Sequence, residues 1–412
     1  MQLRPHQQRA FDAMQANDCG QVIIPTGGGK TYIMIADALH RAAQGQTIVV
    51  VAPRILLANQ LCEEFMEHIS GTWTHVCHAH SGETHYFSST KPEKIALFND
   101  TARAAGESCI IFTTYHSLHR VVDSGVNIDT IYFDEAHNGC GRHFHKAVFA
   151  TAQYAKRRYY FTATPKNGRG VSLSRGMNNV SVYGRTLCNV PAAELIAAGA
   201  IVPPKVVAFE TNRTRNKYNA HEVDGDNLKD MFEQLDVFQN PKVLVAAPSS
   251  KVLGNMLGQT DILEYFYRKG YDVMHITSKF GAIINDKKVG REEFFNTLQS
   301  WGADDSKKFV IFHYSILSEG INVPGLTHTI LLRNLPIVEM AQTIGRVIRV
   351  HQDDRAAVAE GRIPAGAFHL YKKSEGIVTM PTGYKMGNAI AQRLQNVVNA
   401  IFIEGIPPVA FC

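Results

Sequence analysis

A glycine-rich turn near the amino terminus has the residue types that bind phosphate. The apolar run before it ends at Ile24, and the turn itself reads Pro25, Thr26, Gly27, Gly28, Gly29, Lys30 and Thr31. Successive glycines let the backbone curl so that its N–H groups point at phosphate oxygens, and the following helix N-terminus favours negative charge. In this pattern the lysine reaches the β- and γ-phosphates and the threonine hydroxyl holds Mg²⁺. The strict pattern has glycine at the position of Ile24, so a strand-to-helix turn without a ligand is the alternative.

A pair of adjacent carboxylates, Asp134 and Glu135, follows an apolar run over residues 130–133 that we predict to be a strand. Ligands of open α/β sheets bind at the carboxyl ends of the strands, where this pair would stand. We expect Asp134 to hold the water shell of Mg²⁺ and Glu135 to orient and deprotonate an attacking water, with His137 in the same catalytic set. The reaction is then phosphoryl transfer, which needs positioning and charge neutralisation above all. ATP and Mg²⁺ are the predicted cofactors.

Two arginines and a glutamine near the carboxyl end form a third set. Gln342 and Arg346 are four residues apart, and Arg346 and Arg349 are three apart, so a helix places them on one face. Arginine is always charged, and its planar fork can stabilise the charge that builds on a γ-phosphate. The alternative is a solvated basic face. Gly345 argues against it, because a glycine costs about 1 kcal/mol in a plain surface helix.

The elements that must position these residues alternate between strand and helix. Short, continuous, β-branched runs such as residues 47–52 indicate fully buried parallel strands, and segments with helical periodicity follow them. In the second half of the chain the same rhythm predicts helices over residues 252–269 and 291–300. The sequence therefore predicts an α/β fold in two units of similar size, a first domain over residues 1–200 and a second over residues 201–412.

Composition limits the class of protein. The chain of 412 residues is 45% hydrophobic and carries a net charge of +5, which is compatible with a nucleic-acid partner without requiring one. No apolar run is long enough to span a bilayer, and no basic-then-apolar leader begins the sequence. The 7 cysteines are scattered without a CxxC pair, which is typical of reduced thiols. We therefore expect a cytoplasmic protein without a membrane partner, and we also expect it to be a monomer.

In type and order, these motifs resemble those of the superfamily 2 helicases, in the branch with a DEAH-type second motif. Residues 25–31 are similar to motif I, 134–137 to motif II, 162–164 to motif III, 318–324 to motif V and 342–349 to motif VI. The resemblance covers nearly the whole chain. It implies two tandem RecA-like domains, each a parallel sheet flanked by helices, with ATP in the cleft between them.

The resemblance also assigns roles to single residues. Arg346 and Arg349 would be arginine fingers supplied by the second domain. The other implied roles are adenine recognition (Arg4 and Gln7), coupling of hydrolysis to strand movement (Thr162 and Thr164), and ATP contacts from motif V (Gly320 and Asn322). Many members have aspartate where this chain has Asn322, so the amide can form a hydrogen bond there but lacks the charge.

In these helicases a single strand of nucleic acid runs across both domains. The resemblance implies that its phosphates contact side chains at the ends of motifs, namely Arg54, Thr114, Thr277, Ser278 and Ser318. Short hydroxyls and backbone N–H groups hold phosphates without reading bases, so we expect binding that is independent of sequence and sensitive to salt. For each serine or threonine alone, a helix cap or strand-end turn is an equally good interpretation.

The leading interpretation is an ATP-dependent helicase or translocase that moves along DNA or unwinds it. Residues 193–205 look similar to the corresponding turn of compact phage and restriction-type DNA helicases, some of which remodel branched DNA. One alternative is an RNA-dependent ATPase that unwinds short duplexes. Another is an ATP-driven clamp on a nucleic-acid strand that does not unwind it, or the motor subunit of a larger complex with a partner protein.

Overall fold

A computed structural model describes residues 2–43, 45–69, 74–82, 84–235, 238–277, 280–314, 323–383 and 387–412. The chain forms two compact units. One consists of Met1–Val190 together with Pro407–Cys412, and the other of Pro191–Ile406. The predicted division after residue 200 lies near the first joint, although the helix Ala192–Ala197 belongs to the second unit.

The first unit alternates strands and helices. Its strands are β1 (Cys19–Ile23), β2 (Thr47–Ala52), β3 (Thr74–Ala79), β4 (Phe87–Ser88), β5 (Ser108–Thr114), β6 (Thr130–Phe133), β7 (Arg157–Thr162), β8 (Lys166–Asn167) and β9 (Arg185–Asn189). Its helices are α1 (Pro5–Gln15), α2 (Lys30–Ala42), α3 (Ile55–Ile69), α4 (Pro92–Ala104), α5 (Leu118–Asp123), α6 (His145–Tyr154) and α7 (Val180–Tyr183), with 3₁₀ turns at Ala136–Cys140 and Gly170–Ser172.

The main sheet of this unit has the strand order β4-β3-β5-β2-β6-β7-β1-β9, and the recorded pairings between these strands are parallel. All six residues of β2 are buried, as a strand covered on both faces requires. Because β1 and β6 flank β7, the carboxyl ends of these three strands lie side by side. The segments that follow them, which carry motifs I, II and III, therefore meet at one edge of the sheet.

The second unit repeats this alternation. Its strands are β10 (Pro204–Thr211), β11 (Lys242–Ala246), β12 (Asp272–Thr277), β13 (Gly281–Ile284), β14 (Lys287–Val289), β15 (Phe309–His313), β16 (His328–Leu331) and β17 (Gly376–Gly383). Its helices are α8 (Ala192–Ala197), α9 (Ala220–Phe232), α10 (Ser250–Gln259), α11 (Ile262–Arg268), α12 (Arg291–Ala303), α13 (Ile337–Val347), α14 (Gln352–Ala359) and α15 (Gly387–Val398), with a 3₁₀ turn at Phe368–Leu370 and a π-helical segment at Asn399–Ile403. The strand order is β10-β17-β16-β11-β15-β12-β13-β14, parallel except for the last two pairings.

The last strand of the chain, β18 (Ala410–Phe411), pairs in parallel with β8 of the first unit. Two backbone hydrogen bonds extend this pairing, from Ala410 N–H to the Pro165 carbonyl and from Cys412 N–H to the Asn167 carbonyl, both at 3.0 Å. The chain therefore leaves the first unit after Val190 and returns to it beside the segment that follows motif III.

One sequence-based expectation is wrong, and one hairpin was not predicted. The helix predicted over residues 252–269 is two helices, α10 and α11. The hydroxyl of Thr260 donates to the Met256 carbonyl and accepts from the Ile262 N–H, and such side-chain bonds compete with helix continuation. The sequence also gave no sign of the antiparallel hairpin β13–β14, whose two-residue turn holds Asn285 and Asp286 at positive φ.

None of the helices in the described ranges combines the length and the apolar character needed to cross a membrane.

Candidate active site

Two residues of the glycine-rich turn after β1 have backbone conformations that any residue other than glycine would adopt only with strain. Gly27 and Gly29 adopt φ values of 88° and 80°, in the left-handed region. The Gly28 N–H donates to the Pro25 carbonyl at 3.0 Å, which closes the turn, and α2 begins at Lys30 with Gly29 as its N-cap. The free N–H groups of a helix start thus follow directly on the turn, as an anion site requires.

Ile24, the residue at the pattern's usual glycine position, is fully buried and continues the ladder of β1. Its N–H donates to the Thr162 carbonyl at 3.0 Å. This side chain therefore packs in the core before the turn begins.

Helix α1 lies against the glycine-rich turn. The His6 ring pairs through Nε2 with the Gly28 carbonyl at 2.9 Å, and the Gln7 amide donates to the Gly28 and Gly29 carbonyls at 3.3 Å each. The backbone N–H of Arg4 donates to the Gln7 side-chain oxygen at 2.9 Å, while the Arg4 residue is exposed. Gln7, which was predicted to recognise adenine, thus also supports the glycine-rich turn. His6 gives a second support that was not predicted from the sequence.

The two carboxylates of motif II stand at the end of β6. The Asp134 N–H continues the sheet by donating to the Val51 carbonyl at 2.9 Å, and Glu135 follows with a φ of 45°, a left-handed conformation that costs a non-glycine residue about 1–2 kcal/mol. Glu135 Oε1 lies 3.3 Å from Lys30 Nζ, so the structure brings the predicted base and the predicted phosphate-binding lysine together. Both side chains are about nine-tenths buried.

The electrostatics of this edge fit a bound cation. Burial and the neighbouring Glu135 raise the pKa of Asp134 from its usual 3.8 to about 7, because Lys30 compensates only part of the negative charge. The oxygen donors that this edge offers are the Asp134 and Glu135 carboxylates and the Thr31 hydroxyl, the kind that Mg²⁺ prefers. The donor set therefore fits the predicted metal, with Thr31 and Asp134 as the residues that would hold it.

A tyrosine that the sequence analysis passed over orients this edge from beneath. The Tyr115 hydroxyl donates to the Asp134 carbonyl at 2.9 Å, and Tyr115 is almost fully buried. Burial, and the charges of Asp134 and Glu135, raise the pKa of its phenol well above the usual value, so the hydroxyl stays a donor.

Motifs II and III are joined through one histidine. His137 Nδ1 lies 3.0 Å from the Thr162 hydroxyl and 3.4 Å from the Thr164 hydroxyl, and 3.6 Å from Glu135 Oε2. The Thr162 hydroxyl also accepts from the Thr164 N–H at 3.0 Å. The predicted coupling residues are therefore in direct contact with the predicted catalytic set.

The motif VI residues lie in the second unit. Gln342 and Arg346 are in α13 and are buried, and Arg349 follows the end of that helix. The motif V residues Gly320 and Asn322 lie outside the described residues.

Of the predicted contacts to nucleic acid, Ser278 and Ser318 also lie outside the described residues. Arg54 is half-buried between β2 and α3. Thr114 and Thr277 are buried, and their hydroxyls accept from the Ser117 N–H at 3.3 Å and from the Phe280 N–H at 3.0 Å. Both threonines thus have the local turn role that the sequence left open, and their contact with nucleic acid stays a prediction.

With this geometry in place, comparison with known proteins is informative. Residues 1–167 match the family model described as the res subunit of Type III restriction enzymes. This region is therefore similar to superfamily 2 helicase-type domains. The segments predicted as motifs I to III lie within it. No curated protein sequence is significantly similar to the chain.

Solved structures extend the likeness to the whole chain. It is similar to the ATP-dependent Type ISP restriction-modification enzyme LlaBIII bound to DNA, with 15% identity and a TM-score of 0.70 over 100% of this chain and 31% of that chain. A putative HsdR subunit of a type I restriction enzyme from Vibrio vulnificus YJ016 gives 14% identity and a TM-score of 0.61 over 99% and 67%. S. cerevisiae Dbp5 bound to RNA and ADP BeF3 gives 14% identity and a TM-score of 0.60 over 99% and 89%.

At these identities the likeness establishes the fold. The prediction of an α/β chain with two tandem RecA-like domains is confirmed. The chain spans about a third of the length of LlaBIII, so the activities of that larger enzyme do not transfer to it as a whole.

Proposed function

We propose that this chain is an ATP-hydrolysing motor that moves along nucleic acid, with DNA as its substrate, as a helicase or translocase. The observation that carries the proposal is the meeting of three motifs at the adjacent carboxyl ends of β1, β6 and β7. There Lys30 lies 3.3 Å from Glu135, and His137 contacts Thr162. An edge of this kind has what phosphoryl transfer needs, namely a turn of backbone N–H groups, the Lys30 ammonium as a cation and the Glu135 carboxylate as a base.

In this proposal Lys30 would bind the β- and γ-phosphates of ATP, and Thr31 with Asp134 would hold Mg²⁺. When bound, the metal would supply neutralisation of the charge on the phosphate oxygens. Glu135 orients the attacking water and takes its proton, a role that its place beside a lysine and a histidine supports. Arg4 and Gln7 recognise the adenine.

The second unit would supply the arginines. We propose that residues 1–200 and 201–412 act as the two helicase domains, with Gln342, Arg346 and Arg349 of motif VI directed at the γ-phosphate. An arginine finger acts through charge that develops during phosphoryl transfer. Its loss should therefore lower the rate constant kcat more than it weakens ATP binding.

DNA is the favoured polymer because the matched family model belongs to restriction enzymes and LlaBIII is seen bound to DNA. The second candidate is an RNA-dependent ATPase. It is favoured by one observation, the similarity to Dbp5, which is seen bound to RNA and covers 99% of this chain. An ATP-driven clamp or motor subunit would use the same residues, and action on branched DNA is a narrower form of the first proposal.

The test of the proposal separates nucleotide binding from hydrolysis. Glu135→Gln removes the base but keeps the shape of the side chain, so ATP should still bind while turnover falls on the order of a hundredfold or more. Lys30→Ala should lose both. The matched control is Glu93→Gln, which makes the same change on an exposed residue of α4 and should leave turnover unchanged. Near-normal hydrolysis by Glu135→Gln would refute the assignment of the base.

A further inference from the structure

The carboxyl end of α13, which carries Arg346 and is followed by Arg349, is held by contacts from two other segments of the second unit. The last carbonyls of a helix have no partner within it, so partners must come from elsewhere. The Val202 N–H donates to the Ile348 carbonyl at 2.8 Å, next to an antiparallel bridge between Ile201 and Arg349. Gly376 packs so close that a Cβ on it would lie 2.6 Å from the Val347 carbonyl oxygen.

A buried lysine binds the next carbonyl. Lys373 Nζ donates to the Arg349 carbonyl at 2.8 Å, and only 2% of the Lys373 surface is exposed. The lysine is itself fixed at its backbone. The N–H groups of Lys372 and Lys373 donate to the two oxygens of Asp354 at 2.7 and 3.0 Å, and Asp354 is buried in the first turn of α14.

Burial of Lys373 disfavours its charged form. Burial lowers the pKa of Lys373 from its usual 10.5 to about 7, with the charges of Arg349 and Lys242 adding to the effect and Asp354 opposing it. An apolar side chain of the same length would fill the space without that cost. What it could not do is donate to a carbonyl at a helix end, where a cation is also favoured by the helix dipole.

The neighbouring Lys372 shares the backbone hydrogen bond to Asp354 but differs in its exposure and in the partners of its ammonium group. Lys372 is exposed, and its ammonium pairs with the carboxylates of Asp305 and Asp353. It touches no residue of motif VI among the described contacts. The two adjacent lysines therefore form a natural pair for experiment, one on the Arg349 backbone and one in a surface ion-pair network.

We propose that Lys373 is a positioning residue for Arg349: its Nζ fixes the backbone directly after α13, and thereby the direction in which the arginine side chain is presented. The inference rests on the proposed ATPase function, in which Arg349 is a finger. Because a displacement near 1 Å costs catalysis on the order of a hundredfold, fixing this carbonyl is enough to matter.

The experiment measures kcat and KM for ATP in the full chain at saturating nucleic acid, for wild type, Lys373→Met and Lys372→Met. We expect Lys373→Met to lower kcat on the order of tenfold with KM for ATP changed less than twofold, because the lost alignment acts on the transition state. Lys372→Met should match wild type. A wild-type kcat in Lys373→Met would overturn the inference, as would an equal loss in the two variants.

A second arm asks whether Lys373 acts through Arg349. If it does, Lys373→Met should cause no further loss of kcat in an Arg349→Ala background, whereas a general structural defect would lower both backgrounds alike. The proposed function has a separate point of failure. A wild-type chain without ATP turnover, or an Arg349→Ala variant that is fully active, would reject the motor or the finger assignment before Lys373 is considered.

Discussion

Lys373 makes the stability of the second unit depend on pH in a direction that the structure fixes. In the folded chain the pKa of Lys373 is about 7, and in the unfolded chain it returns to the usual 10.5. Between these values the unfolded state binds more protons than the folded state, so the free energy of unfolding rises with pH. Below pH 7 both states are protonated and the dependence disappears. Above pH 10.5 both are neutral.

The size follows from the same two pKa values. Integrated from pH 7.0 to pH 8.5, the linkage adds about 1.6 kcal/mol to the free energy of unfolding. The groups around Lys373 that also affect its charge, Arg349, Asp354 and Lys242, are the same in wild type and in Lys373→Met. The difference between the two proteins therefore reports the titration of Lys373 together with its coupling to these neighbours.

A tryptophan of the second unit reports the transition directly. The chain has 2 tryptophans, and Trp301 lies in α12, packed against Phe309. In a Trp73→Phe background, urea unfolding followed by Trp301 fluorescence at pH 7.0 and 8.5 gives the free energy of the transition in which this unit unfolds. Wild type should gain up to about 1.6 kcal/mol over this interval relative to Lys373→Met.

The control is Lys372→Met. Hydrogen bonds to Asp305 and Asp353 raise the pKa of Lys372, so its charge does not change between pH 7.0 and 8.5. This variant should keep the wild-type pH dependence. A pH dependence that is the same in wild type and in Lys373→Met would show that Lys373 does not have the lowered pKa.

Three further predictions concern single contacts. Gly29→Ala should weaken ATP binding at least tenfold in a fluorescent-nucleotide titration, because a Cβ would lie 2.2 Å from Gln7 Nε2 on a residue with a φ of 80°; unchanged affinity would contradict the described turn. Thr162→Val should lower the free energy of unfolding by about 1–3 kcal/mol, since His137 loses a partner at 3.0 Å. Thr162→Ser should keep that bond, and equal losses in the two variants would argue against it. Gly376→Ala should destabilise the unit reported by Trp301 by about 1–3 kcal/mol, as its Cβ has no room beside the helix end, and an unchanged urea midpoint would show that room exists.

The parts of this fold that are local in sequence were predictable. Buried parallel strands such as β2 are continuous β-branched runs, and α2 begins where the glycines end. Strand β17 gave no such signal, because Pro381 interrupts it. In the structure the pairing of β17 with β16 ends at Thr379, whereas its pairing with β10 continues to Gly383. Pro381 therefore lies where β17 forms backbone hydrogen bonds with a neighbouring strand on one side only.

The site divides in the same way. Lys30, Glu135 and the arginines of motif VI stand in patterns whose chemistry can be recognised one motif at a time. The order of β6, β7 and β1 in the sheet brings motifs I to III together, and it depends on the pairing of β1 with β7, whose residues lie more than a hundred positions apart in sequence. His6 and Lys373 could not be identified from the sequence. A histidine before a glutamine and a lysine in a polar loop are usually exposed, and only long-range packing buries these two residues.

We infer that this chain hydrolyses ATP in response to nucleic acid. The most direct measurement is ATP turnover by the purified chain, alone and with single-stranded DNA, duplex DNA, a branched DNA junction or single-stranded RNA, with the Lys30→Ala protein as the blank. We expect turnover that a DNA substrate stimulates and that Lys30→Ala abolishes. Stimulation by RNA alone would keep the motor but reject the DNA assignment. Turnover that is the same with and without every polymer, or that survives Lys30→Ala, would contradict the claim.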